Sequence, residues 1–231
     1  MAPGKNRVRD LYRGLRRRLG APAGQWESWC RRPKSRGERE RVILESILTQ
    51  RANWKNVQQA VANLRAAGSL RLAAVLEMEP ERLAGLVRPS GFYRQKTARL
   101  QALAGCLLKE CGGLAGAGRL ETPELRRRLL ALNGVGPETA DDILLYAFER
   151  PVFVIDEYTR RRVRELGWAR KFEYRHLQAL FESSLPDDYR LYQDFHALIV
   201  ADGKSTGGRK AAPGKKGKAT CRKPRVRAKT G

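Results

Sequence analysis

Apolar residues recur along most of this chain at the three-to-four-residue spacing that lines one face of an α-helix. Ile43, Leu44, Ile47 and Leu48 form one stripe, and Val57, Ala60, Val61 and Leu64 form another at i, i+3, i+4 and i+7. Leu83, Leu86 and Val87 continue the pattern, followed by Leu100, Leu103, Leu107 and Leu108. Thr122-Pro123-Glu124 reads as an N-cap with proline at the first helical position, which predicts a helix over 124–132. Residues 152–155 are the sole strand-like piece and are too short to found a sheet. The expected fold is all-α. Two segments lack apolar periodicity: 31–39, basic and broken by Pro33 and Gly37, and the glycine-rich 112–118, predicted to be a loop. Cys106 and Cys111 fall in a helical stretch and are expected in or near the core.

The length, 231 residues, allows one large domain or two small lobes with a proper core. No run of eighteen apolar residues is present, and the basic N-terminus has no apolar core behind it, so neither a membrane span nor a signal segment is expected. This favours a monomeric cytoplasmic protein associated with the nucleoid. Lys and Arg number 47 against 24 Asp and Glu, a formal charge of +23. A field of that size attracts polyanions, of which nucleic acid is the commonest. A membrane surface fits less well, because no basic amphipathic helix carries bulky apolar anchors. From position 201 onward there are eleven Lys/Arg and one acid, Asp202. Residues 202–231 have too few apolar side chains to fold and are expected to be a disordered basic tail. The four cysteines, Cys30, Cys106, Cys111 and Cys221, contain no CxxC pair and suggest no zinc site.

The segment from Leu129 to Ala147 reads Leu-Leu-Ala-Leu-Asn-Gly-Val-Gly-Pro-Glu-Thr-Ala-Asp-Asp-Ile-Leu-Leu-Tyr-Ala. A helix ending at Leu132, a turn through Asn133, Gly134, Val135 and Gly136, and a second helix from Pro137 are predicted. Gly134 and Gly136 permit positive φ and close backbone approach. Val135 would point inward and pin the two helices, while Pro137 and Glu138 suit a first helical turn. Free N–H groups at such a turn face an anion. A bare Gly-x-Gly would indicate only an ordinary helical hairpin. The full pattern, running through Thr139 and Ala140 into an amphipathic helix, matches the helix–hairpin–helix motif, which grips a DNA phosphate without reading sequence.

After that helix, Pro151-Val-Phe-Val-Ile delivers Asp156 to the N-cap of a further helix, where backbone N–H groups and the helix dipole favour the anion. Simple capping is the commoner role of such an aspartate, and Glu157 beside it reads as a solvated first-turn acid. The hairpin followed some twenty residues later by Val-Ile-Asp resembles the endonuclease III superfamily of DNA glycosylases. The resemblance covers roughly 39–168, extends toward 200, and includes Leu48-Thr49-Gln50 and Pro89-Ser90-Gly91-Phe92-Tyr93-Arg94-Gln95-Lys96. It implies two helical lobes, 38–150 carrying the hairpin and 6–37 with 151–201 carrying Asp156, acting on double-stranded DNA with a damaged base. By that match Asp156 is the catalytic carboxylate.

Bifunctional members of the superfamily carry a lysine where this chain has Glu138, and no lysine occurs between Lys109 and Lys171. A glutamate cannot form a Schiff base, so a monofunctional, hydrolytic enzyme is expected. One cysteine, Cys221, follows the hairpin, so no [4Fe–4S] cluster is expected. A monovalent cation on the hairpin turn between Leu132 and Val135 is compatible with the resemblance.

Glu138, the cysteine pattern and the Pro-Ser-Gly-Phe-Tyr-x-Gln-Lys and Gly-x-Glu-Thr-Ala-Asp phrases resemble most the 3-methyladenine DNA glycosylase III branch. That branch removes alkylated purines. The resemblance implies that Trp54 and one of Trp26 or Trp29 stack on the flipped base. Gln50 would fill the hole it leaves, and Phe92 would wedge beside the orphaned base. Arg94, Lys96, Arg160, Arg161 and Arg162 are implied phosphate contacts, with the hairpin residues Gly134, Val135, Gly136 and Thr139. Each tryptophan taken singly could equally be core, although two in a polar, Pro/Gly-rich segment are hard to bury. A glycosylase for oxidised or mismatched pyrimidines, and a non-catalytic DNA-binding protein, remain alternatives.

Overall fold

The apolar stripes become helices that pack on each other, with no strand among the described residues. In a computed structural model, which describes residues 5–206, the order is α1 (Lys5–Leu19), α2 (Gln25–Cys30), α3 (Arg36–Leu48), α4 (Trp54–Ala66), α5 (Leu72–Glu77), α6 (Pro80–Val87), α7 (Tyr93–Gly105), α8 (Gly113–Arg119), α9 (Thr122–Leu130), α10 (Pro137–Asp142), α11 (Glu157–Glu165), α12 (Tyr174–Glu182) and α13 (Tyr189–Thr206). A short 3₁₀ turn, Arg88–Ser90, follows α6. Two π turns, Cys106–Glu110 and Ile143–Ala147, prolong α7 and α10.

Helix α3 is the hub. Every residue from Val42 to Leu48 is buried, which marks a helix enclosed on all sides. Its start is a capping box: Glu38 accepts the Ser35 N–H at 2.8 Å while the Ser35 hydroxyl oxygen accepts the Glu38 N–H. Around it lie α4, α7, α10 and the second π turn. Glu45 inside this core is answered at 2.6 Å by both Trp29 Nε1 and Arg41 Nε, so α2 is tied to α3 by a buried charge-assisted bond. A second set of contacts joins the two ends of the described chain: α13 packs along α1, α2 and α11.

Three expectations change. Residues 112–118 are not a loop but largely α8. Gly112 enters it left-handed, at φ +70°, and a Cβ on Gly116 would lie 1.9 Å from the Cys111 carbonyl oxygen, so glycine there permits close packing rather than flexibility. Thr122 is not a cap: α9 starts on it, after Glu121, and ends at Leu130 rather than at 132. The strand-like piece 152–155 founds no sheet, as its length implied. Finally, α13 runs on through residues assigned to the tail. Asp202 is buried and paired with Arg18 at 2.8 Å and with Arg162. Residues 207–231, where the rest of the expected tail and Cys221 fall, lie outside the described residues. Cys106 and Cys111 are buried, as their helical setting implied.

Candidate active site

The hairpin turn is built as a lock. Gly134 takes φ +79°, and a Cβ there would lie 2.0 Å from Arg99 Nε, so the guanidinium of α7 packs directly on the turn. Arg99 donates to Gln50 Oε1 at 2.8 Å, and Gln50 Nε2 donates to the Gly134 carbonyl and to Thr139 Oγ1, each at 3.0 Å. Gln50 is therefore held by two hydrogen bonds to the hairpin and a third from α7. Val135 is buried and its N–H donates to the Leu132 carbonyl at 3.1 Å. Gly136 departs from expectation: its φ is −88°, open to any residue, and the space before it is empty. Phe92 projects beside this turn, 54% exposed, from a left-handed backbone at φ +48°. Arg94 is exposed nearby.

Next to the hairpin opens a cavity of about 220 Å³ lined by Trp26, Trp29, Trp54, Glu138, Asp142 and Asp156, among others. The two N-terminal tryptophans are buried, at 7% and 4% exposure, against the expectation that their polar segment would leave them open. The reason is tertiary: α2 is wedged between α3 and α13, and the rings meet edge to face with centroids 5.7 Å apart. Each shows only a small part of itself to the cavity. Trp54, the first residue of α4, is half-buried.

Asp156 caps α11, accepting the Thr159 N–H on Oδ1 at 2.7 Å. Its Oδ2 lies 3.7 Å from His196 Nε2, beyond direct hydrogen-bond length and within ion-pair range. The other imidazole nitrogen, Nδ1, is 2.8 Å from the Tyr146 hydroxyl, which also donates to the Gln193 carbonyl. Burial pushes the Asp156 carboxyl up, but the His196 imidazole and the Thr159 N–H outweigh it and hold the group below its ordinary range. The site's other carboxyls move the opposite way. Glu138, solvent-exposed as a residue, is raised where its carboxyl enters the cavity, by desolvation and by the Asp156 charge. Asp142, one helical turn further, is raised well above the ordinary range by burial, Glu138 and Asp156. One carboxyl held low beside two pushed up is the pattern of a site with divided acid and base roles. At the mouth, Lys204 donates to Gln25 Oε1 at 2.8 Å.

Several assigned residues are elsewhere. Lys96 is fully buried, donating to the Leu48 and Ser90 carbonyls at 2.7 Å each, so it ties the end of α3 to the 3₁₀ turn and is not a phosphate contact. Arg160 donates to the Phe172 carbonyl, Arg161 to Gly203 and Arg162 to Asp202: they fasten α11 to its neighbours. The motif reading did not single out Asp142, His196 or Arg99. The i, i+4 spacing of Glu138 and Asp142, which puts both on one helix face, was a readable signal for the first. His196 and Arg99 come from distant segments and had none.

A family model described as the HhH-GPD superfamily of base excision DNA repair proteins matches residues 44–187. The putative DNA repair glycosylase MJ1434 of Methanocaldococcus jannaschii is 39% identical over 176 residues, 75% of this chain and 80% of that one. Endonuclease III of Thermotoga maritima is 30% identical over 152 residues, 64% of this chain and 66% of that one. Among solved structures, the H. pylori 3-methyladenine DNA glycosylase MagIII bound to 1,N6-ethenoadenine superposes with a TM-score of 0.71 at 28% identity, covering 87% of this chain and 97% of the other. With a hairpin, an N-cap aspartate and an aromatic cavity placed together on an all-α fold, and with these relatives, the chain belongs to the HhH-GPD superfamily and is a base excision repair DNA glycosylase.

Proposed function

We propose that the enzyme is a monofunctional N-glycosylase that takes an alkylated purine such as 3-methyladenine out of double-stranded DNA and hydrolyses its N-glycosidic bond. The observation that carries this reading is the pairing of an ionised Asp156 with a tryptophan-lined cavity, while the hairpin helix offers Glu138 in place of an amine. An N3-alkylated adenine is cationic, so it leaves with little help from a general acid. The enzyme has to hold it and stabilise the sugar. Trp54, with the visible parts of Trp26 and Trp29, suits a cationic ring, at about 1–3 kcal/mol per stacking contact. Asp156 then faces the positive charge that develops on the deoxyribose and orients water at C1′.

On the DNA side, the exposed Phe92 wedges into the stack, Arg94 meets backbone, and the free N–H groups around Gly136 take a phosphate. Gln50, bound as it is to Gly134 and Thr139, stiffens the edge that faces the vacated base position. A monovalent cation fits the turn, since the Leu132 carbonyl accepts one N–H and retains a second lone pair. An iron–sulfur cluster does not fit the described cysteines: Cys106 and Cys111 flank one π turn, whereas Cys30 lies against the Gln193 carbonyl.

The test is incubation with randomly methylated duplex DNA and analysis of released bases, with and without hot alkali. Release of 3-methyladenine with strand breaks only after alkali is expected. Asp156→Asn should lower the single-turnover rate at least about a hundredfold while DNA binding survives. No release would turn the assignment toward oxidised or mismatched pyrimidines, and no chemistry on any of these toward a binding protein. A borohydride-trapped adduct would overturn the monofunctional reading, and its loss in Lys204→Ala would name the amine responsible.

A further inference from the structure

Asp142 and its neighbour Asp141 occupy consecutive positions on α10 and meet opposite surroundings. Asp141 is fully buried and fully answered: Arg126 donates to its two oxygens at 2.7 and 3.1 Å, and Gln178 adds a third bond at 2.8 Å. Asp142 lines the cavity, and its Oδ1 is buried without a hydrogen-bond partner. The charges that face it most strongly, Glu138, Asp156 and Asp141, are all acids. Lys204, the nearby amine, is engaged with Gln25 at the mouth. So a protein of charge +23 lines one cavity with the carboxyls of Glu138 and Asp142 together with three tryptophans.

A buried carboxyl oxygen without a hydrogen-bond partner is costly to keep. Aromatic faces and carboxyl groups around one small cavity share a single complementary ligand chemistry, a flat organic cation. We propose that Asp142, with Glu138 beside it, is the specificity-determining group of the site and reads the positive charge of the flipped base. Cationic, ring-alkylated purines then enter in preference to neutral bases of the same shape. The inference rests on the glycosylase reading above and adds what selects the substrate. Burial and the neighbouring acids favour the protonated form of Asp142; a cationic base favours the carboxylate instead, sending the proton to solvent and pairing with the anion. A neutral base offers no such exchange. Asp156, held by Thr159 and near His196, stays free for the sugar.

The experiment compares two duplexes of nearly identical shape. One carries 3-methyladenine on a 2′-fluorinated sugar that resists cleavage; the other carries neutral 3-deaza-3-methyladenine on the same sugar. Wild-type protein should bind the cationic duplex about tenfold or more tightly. Asp142→Asn, which keeps the shape and loses the charge, should bring that ratio close to one, and Glu138→Gln should reduce it. Equal affinity of the wild type for both duplexes, or an unchanged ratio in Asp142→Asn, would overturn the proposal. If Asp142→Asn fails to fold by its circular dichroism melt, the wild-type ratio and Glu138→Gln decide. Release of 3-methyladenine from methylated DNA, measured in parallel, separates the two failures. Release with no charge preference defeats only this inference, whereas no release and no binding above an undamaged duplex defeat the function as well.

Discussion

At the scale of single residues, carboxylates and cations in this protein are sorted by what lies within hydrogen-bond reach rather than by their type. Asp141 is part of the architecture, and Asp141→Ala would strand Arg126, whose side chain is only 16% exposed. Breaking such a pair costs about 3–5 kcal/mol, so urea unfolding should show a loss of that order. A loss below about 1 kcal/mol would mean that the fork contributes little. Lys96 makes the same point for a cation. Its place in a basic, family-like phrase suggested DNA contact, but the fold uses it to hold the carbonyl end of α3, where a positive charge suits the helix dipole. The pattern showed that a lysine stands there; only the approach of the 3₁₀ turn to α3 determined what it touches.

Between helices, the hairpin depends on one backbone position. Gly134 needs both a positive φ and the absence of a Cβ, because Arg99 packs against it. Gly134→Ala should therefore cost about 1–3 kcal/mol in strain and, by displacing Arg99, loosen Gln50 from the turn. The measurements are thermal stability and affinity for undamaged duplex; unchanged values in both would show that the lock is dispensable. The motif reading took Gly134 and Gly136 as equivalent, and the structure separates them. The hairpin, α10 and the Asp156 cap were readable because each rests on local chemistry: turn glycines, a proline at a first helical position, and a side chain three residues before the N–H it caps. α8 was not readable, because helix propensity counts glycine as a breaker and cannot see that Gly116 lies against the Cys111 carbonyl.

For the whole molecule, charge and assembly matter together. The cavity draws its walls from α2, α3, α4, α10, α11 and α13, so an early helix, α2, and the last described helix, α13, close the site together. That closure explains why Trp26 and Trp29 are more buried than their segment's polarity suggested. Binding to DNA should be strongly salt-dependent, since each neutralised phosphate contributes about 0.9 to the slope of log K against log salt. Removing residues 207–231 deletes ten Lys/Arg and no acid. The truncated protein should bind more weakly at low salt with a shallower slope, yet keep its single-turnover excision rate. A large fall in that rate would place part of the segment in the chemistry.

By itself the sequence determined the helical class, the hairpin and the position of Asp156, because helix periodicity, turn glycines and capping are short-range effects written in neighbouring residues. It also determined the basic character of the molecule, which is a sum over side chains. The tertiary structure decided which polar groups are answered. It sent Lys96 and the Arg160, Arg161 and Arg162 cluster to structural duties, brought His196 from α13 to Asp156, and left Asp142 lining the cavity with a buried oxygen unpaired. Those outcomes depend on the meeting of helices far apart in the chain, and the free energy of a buried charge is set by that meeting alone.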